Sequence, residues 1–135
     1  MKILVAVIGT NSTTLFKKTL SWAPRGGFNM RVFISEAEPK EDYLLAIDNA
    51  NHEHYLDMPP AVIIQGETPK AFAKKEGYDL LVTLADDMTS WHLGMQRDKM
   101  IIEYAVDLGK ARVEFNADSS KTEHLFPNGS MMVRL

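Results

Sequence analysis

Apolar runs of strand length alternate with segments of helical period along this chain, the pattern of a parallel sheet with crossover helices. Lys2 to Ile8 reads as a first strand, apolar without interruption after Lys2 and therefore buried. Gly9-Thr10-Asn11-Ser12 reads as a turn into a helix on which Leu15, Phe16 and Leu20 recur, stopped by Pro24 to Gly27. Arg31 to Ser35 is a second strand, and Pro39 opens a helix carrying Tyr43, Leu44 and Ile47. The polar stretch Asn49 to Pro60 is expected to be a loop, and Ala61 to Gln65 a third strand. Thr68 is a good N-cap, Pro69 suits the first helical position, and Gly77 suits the stop of a short helix between them. Asp79 to Ala85 reads as the fourth strand and is expected to be the most buried. A later helix, closed by Gly109, is expected to turn Met100, Ile101, Tyr104, Ala105 and Leu108 to one side. Val113 and Phe115 alternate with Arg112 and Glu114 as in a half-buried strand, and Asn128-Gly129 signals a hairpin in the tail. The pattern implies one α/β domain over residues 1–135. It has a mostly parallel sheet, crossover helices on both faces and a C-terminal β-hairpin at an edge or dimer interface.

Composition narrows the function classes more than the fold. At 135 residues the chain is long enough to bury a core without disulfides or structural metal. It is 45% hydrophobic and 24% charged, ordinary for a globular domain and unlike a disordered one. A net charge of −3 gives no reason to expect a nucleic-acid or anionic-membrane partner. With no cysteine, thiolate metal sites and cysteine catalysis are excluded. The apolar N-terminal run is too short to span a membrane and carries no cleavage pattern, so a cytoplasmic location is expected.

Leu80-Leu81-Val82-Thr83-Leu84-Ala85-Asp86-Asp87-Met88 carries the candidate chemistry. Two adjacent carboxylates follow a strand too apolar for a surface, and ligands of open α/β sheets bind beyond such carboxyl ends. Neighbouring carboxylates repel unless a cation offsets their charge, and oxygen donors suit Mg2+ or Mn2+. A helix cap and a turn residue are the plainer reading of the same pair. Gly9 to Ser12, Ser35-Glu36 and Gly66-Glu67-Thr68 would share the rim. His52-Glu53-His54 has a metal-like spacing but lies in a polar stretch where exposure is the ordinary explanation. Trp91 suits either core lining or stacking on a base or sugar. No Walker A sequence, GxGxxG or GxSxG elbow is present.

Taken in order, Gly9-Thr10-Asn11, Thr19-Leu20, Ser35-Glu36, Gly66 and Tyr78 to Met88 resemble the nucleotide-binding half of GT-A-type glycosyltransferases, especially family 2-like ones. The resemblance covers roughly residues 1–95 and is strongest over Asp79 to Met88. It implies a Rossmann-like GT-A-type domain with a DXD-type acidic motif that binds a divalent ion and a sugar nucleotide. Carried over residue by residue, it implies a metal role for Asp87 and a shared metal or ribose role for Asp86. Thr10 and Asn11 would lie against the nucleotide, Glu36 would accept from the base, and Lys70 would meet a phosphate. His124 would match the late histidine ligand of several such enzymes. Ala85 replaces the first of three acidic residues found in many relatives, and Glu36 stands where an aspartate is usual.

The function implied is transfer of a sugar from a UDP- or GDP-linked donor to an unknown acceptor, with Mn2+ or Mg2+. The chain could act as a homo-oligomer. Only about forty residues follow the Asp87 loop, where relatives build an acceptor side. Glu114 and Asp118 are the available candidates for a catalytic base. One alternative is a sugar-nucleotide-binding or assembly protein without transfer. The other is a magnesium-dependent phosphotransferase or nuclease.

Overall fold

Strand β1 (Ile3–Ile8) is apolar at every position, which suits a central strand covered on both faces. The computed structural model describes residues 2–8, 28–54, 63–84, 100, 101, 103, 123–126 and 130–135. In it β1 pairs in parallel with β2 (Asn29–Ile34) and with β4 (Leu80–Leu84), placing Val7 between Val32 and Leu84. Beyond β2 lies β3 (Ile63–Gln65), also parallel. On the other side β6 (Met131–Arg134) runs antiparallel to β4, and β5 (Glu123–Leu125) antiparallel to β6. The six-stranded sheet has the order β3-β2-β1-β4-β6-β5, and among these strands β6 alone runs against the rest. The fold is therefore α/β with a mixed sheet whose larger part is parallel.

Alternation along the strands divides the core into two layers. Ile3, Val5, Val7, Val32, Ile34, Leu80, Val82, Leu84 and Met132 face one side, where Tyr43 and Ile47 of α1 (Lys40–His54) cover them. Leu4, Ala6, Phe33, Leu81 and Val133 face the other, beneath Ala73 of α2 (Pro69–Lys75) and the following Tyr78. Phe72 meets Phe33 edge to face at 5.6 Å between centroids.

Helix α2 follows its sequence signals closely. Thr68 adopts extended φ/ψ and its hydroxyl accepts from the Ala71 N–H at 3.2 Å. At the other end Gly77 takes φ +75°, its N–H donates to the Lys74 carbonyl, and the Tyr78 N–H donates to the Ala73 carbonyl. These two bonds form a Schellman stop, with Tyr78 and Ala73 both buried.

The structure corrects two expectations. Asn49 to His54 belong to α1 and not to a loop. The buried positions Tyr43 and Ile47 continue at the same spacing to half-buried Asn51, while neither glycine nor proline intervenes before Pro59. Met100 and Ile101 are both helical, but Ile101 is buried and Met100 is 68% exposed. Consecutive residues sit about 100° apart, so they cannot share one narrow face.

The hairpin is present: β5 and β6 pair, and the Phe126 N–H donates to the Ser130 carbonyl at 2.8 Å. It sits at one edge of the sheet, docked on β4 through β6. The helix expected after Ser12, the strand around Val113 and Phe115, and the Asn128-Gly129 turn lie outside the described residues. Among the described residues no helix is long and apolar enough to cross a membrane.

Candidate functional site

Connections from β1 and to β4 leave the middle of the sheet in opposite directions. The chain moves outward from β1 to β2 and β3, then returns through α2 to place β4 on the far side of β1. The strand order reverses between β1 and β4, and such a switch point opens a crevice at the carboxyl ends of the two strands. Those ends are level, with Val7 opposite Leu84, and Ile8 extends one residue further with 36% exposure. Asp86 and Asp87 follow Leu84 in sequence, and Thr10 and Asn11 follow Ile8. All four lie outside the described residues, as do Trp91, Glu114 and Asp118. Among the described residues no three His, Asp or Glu side chains come together as a metal-binding group.

Glu36 is exposed in the turn joining β2 to α1. That turn is braced from β3. The Gln65 side-chain amide donates to the carbonyls of Ser35, at 3.2 Å, and Glu38, at 3.1 Å. The Gly66 N–H donates to the Ile34 carbonyl at 3.0 Å, and the Glu38 N–H closes the turn onto Ser35 at 3.1 Å. From α1 the Tyr43 hydroxyl donates to the Glu38 carboxylate at 3.1 Å. The Glu36 side chain itself lies against Gly66. A methyl group there would sit 2.9 Å from its Cγ and 3.0 Å from its Cδ, and would collide with Oε1. Gly66 takes φ +78°, a conformation glycine adopts without penalty.

Lys70 is exposed at the second position of α2, on the helix that starts from this rim. Nearby, Lys75 and Glu67 form an exposed ion pair at 2.8 Å. The hydrogen bond that the Lys75 ammonium donates to Glu67 raises the Lys75 pKa above its ordinary value, against a smaller desolvation effect; the charges of Glu67 and Glu76 add to the rise.

His124 is placed away from the switch point. The ladders put it opposite Met132, which is opposite Val82, so it stands level with the middle of β4. Two strand spacings, about 10 Å, separate it from β4. Its ring meets Phe126 edge to face at 4.6 Å.

The structure thus brings Glu36 and Gly66 into contact at one rim and sets Lys70 on the helix that follows. Sequence reasoning missed Gln65, whose only signal was an amide at the last position of a strand followed by glycine. No protein-family model, no curated protein and no solved structure matches this chain.

Proposed function

We propose that the chain is a Rossmann-like, GT-A-type glycosyltransferase domain that moves a sugar from a nucleoside diphosphate donor with the help of Mn2+ or Mg2+. One observation carries this reading. Buried β4 ends at Leu84, level with the end of β1 at the strand-order reversal, and the Asp86-Asp87 pair comes next in the chain. That is where open α/β sheets bind ligands, and two carboxylates fit a hard divalent ion.

Asp87 and Asp86 would hold the ion, which would offset the charge that builds on the diphosphate as the glycosidic bond breaks. Thr10 and Asn11 would contact the nucleotide from the end of β1. Glu36 would orient the nucleoside from the end of β2, and Lys70 would meet a phosphate. His124 fits less readily as a further ligand, because its register sets it level with Val82 and its ring packs on Phe126. Glu114 and Asp118 remain the candidates for activating the acceptor hydroxyl.

The test is thermal melting with Mn2+ and UDP or GDP. A ligand at a hundred times its Kd stabilises a folded protein by about 2.7 kcal/mol, and the shift should disappear in Asp87→Ala. No shift with any nucleoside diphosphate would sink the reading.

A second reading, sugar-nucleotide binding or assembly without transfer, draws on the hairpin. Strands β5 and β6 extend the same sheet through β4 and supply no separate layer among the described residues. Binding without turnover across a broad acceptor screen would favour it. Transfer or donor hydrolysis that Asp87→Ala abolishes would exclude it.

A further inference from the structure

The turn carrying Glu36 is held more firmly than its exposure requires. Gln65 bonds the backbone on both sides of Glu36, and Gly66 bonds the residue that ends β2. None of these bonds uses the Glu36 side chain, so the turn is fixed without it. Its carboxylate makes no hydrogen bond or ion pair among the described residues. It nevertheless occupies the space that the missing Gly66 side chain leaves.

Gly77 provides an internal contrast. It has nearly the same φ, +75° against +78°, and a methyl group added there would meet nothing within 4 Å. At Gly77 glycine serves the backbone alone. At Gly66 it serves the backbone and also leaves room for one particular side chain.

We propose that Gln65 and Gly66 are positioning residues that present the Glu36 carboxylate to the hydrogen-bond donors of a nucleoside at this rim. Gln65 fixes the path of the turn, and Gly66 sets where along that rim the carboxylate lies. The proposal rests on the nucleotide reading above, and adds that third-strand residues govern which nucleoside is accepted. A carboxylate offers acceptors only, so its partners are base N–H groups or ribose hydroxyls.

Calorimetric titration of the full chain with UDP, GDP and 2′-deoxy-UDP, in Mn2+ and well below each variant's melting temperature, tests it. Glu36→Gln and Gly66→Ala should each weaken UDP or GDP binding roughly tenfold, as losing a charged hydrogen bond does. Gln65→Ala should weaken it in the same direction, and Gly77→Ala should bind like the unaltered protein. Combining Glu36→Gln with Gly66→Ala should cost no more than either alone, because both remove one interaction. Loss of discrimination between UDP and 2′-deoxy-UDP would assign the ribose hydroxyl. Retained discrimination together with a changed UDP-to-GDP ratio would assign the base.

A purely structural role would lower the melting temperature and leave the affinity of the folded protein and both ratios unchanged. Gly66→Ala that binds like Gly77→Ala would therefore overturn the proposal. If Gly66→Ala does not fold, Gly66→Asn tolerates the same φ while still displacing Glu36, and is held to the same outcomes. Absence of nucleotide binding by the unaltered chain overturns the nucleotide reading and this role together. Gly66→Ala that leaves a demonstrated nucleotide affinity unchanged overturns this role alone, which tells the two failures apart. A cost of Gly66→Ala over Gly77→Ala that vanishes in a Glu36→Ala background shows the Glu36 seat even where the nucleotide reading has failed.

Discussion

The two ends of the parallel sheet use their polar groups differently. At the amino end they bond one another. The Lys2 N–H donates to the Asp79 carboxylate at 2.7 Å, and the Asp79 N–H donates back to the Lys2 carbonyl at 2.8 Å. The Leu135 N–H bonds the Asp79 carbonyl at 3.0 Å, tying the last strand to the same corner. The Lys2 ammonium bonds the Glu76 carbonyl at 2.7 Å and lies 4.3 Å from the centre of the Tyr78 ring. At the carboxyl end Gln65 and Gly66 brace the backbone, and Glu36 and Lys70 are exposed. Under the proposed function, tying these side chains into closure at one end while leaving Glu36 and Lys70 exposed at the other would separate stability from recognition.

Tyr78→Ala is the strongest way to break that contrast. Tyr78 is buried among Phe72, Ala73 and Leu81, and its hydroxyl accepts from the Asn29 side-chain amide at 2.8 Å. Truncating a buried aromatic of this kind should cost about 3–5 kcal/mol in urea unfolding. Under the proposed function, the nucleoside diphosphate affinity of the protein that remains folded should not change. A parallel loss of affinity would show that the two ends are not separable.

The glycine pair sharpens the contrast at lower cost. Gly77→Ala should destabilise by roughly 1–2 kcal/mol, the penalty for an L-residue in the left-handed region. Gly66→Ala should cost that much and somewhat more, because the new methyl group must also displace Glu36. Equal costs in chemical denaturation would mean that Glu36 swings aside freely.

Why some of this was legible in the sequence and some was not follows from where the information resides. Strands β1 and β4 were legible because a parallel strand buried on both faces must be apolar at nearly every position. Helix α2 was legible because Thr68, Pro69 and Gly77 each answer a local backbone requirement. The last turns of α1 were not, since Asn49, Asn51 and His52 suit a solvated helix and a loop equally well. Met100 was misjudged because a list of apolar residues does not fix the angle of each around the axis. At the candidate site, Glu36 was marked by its place after a strand, which is local information. Gln65 braces a turn thirty residues away, and His124 stands where two ladder registers put it; neither is encoded in nearby residues.

Thr68→Ala probes the border between the ends, because its hydroxyl caps the helix that starts from the rim and runs toward Tyr78. Loss of that cap should cost about 1 kcal/mol in thermal or chemical unfolding. The cost is local to α2, so the Lys2–Asp79 corner should keep its amide protection in hydrogen exchange. Loss of protection at both places would mean that α2 transmits between the ends.

The smallest effect belongs to Lys75, which reaches back from the end of α2 to Glu67 beside the rim. Both side chains are accessible to water, so screening keeps the pair weak and most of its contribution should vanish in high salt. Its pH dependence nevertheless has a definite sign. The Glu67 hydrogen bond raises the folded-state pKa of Lys75 above 10.5, so the folded protein holds this proton more tightly than the unfolded chain. The contribution is therefore complete below the unfolded value and is lost as pH rises through the folded one. Lys75→Met should melt slightly below the unaltered protein at neutral pH, and the gap should close as the pH is taken above 10.5. A gap that persists there would have to come from the Lys75 side chain over the Phe72 ring, 5.5 Å from its ammonium, through apolar contact that survives loss of the charge.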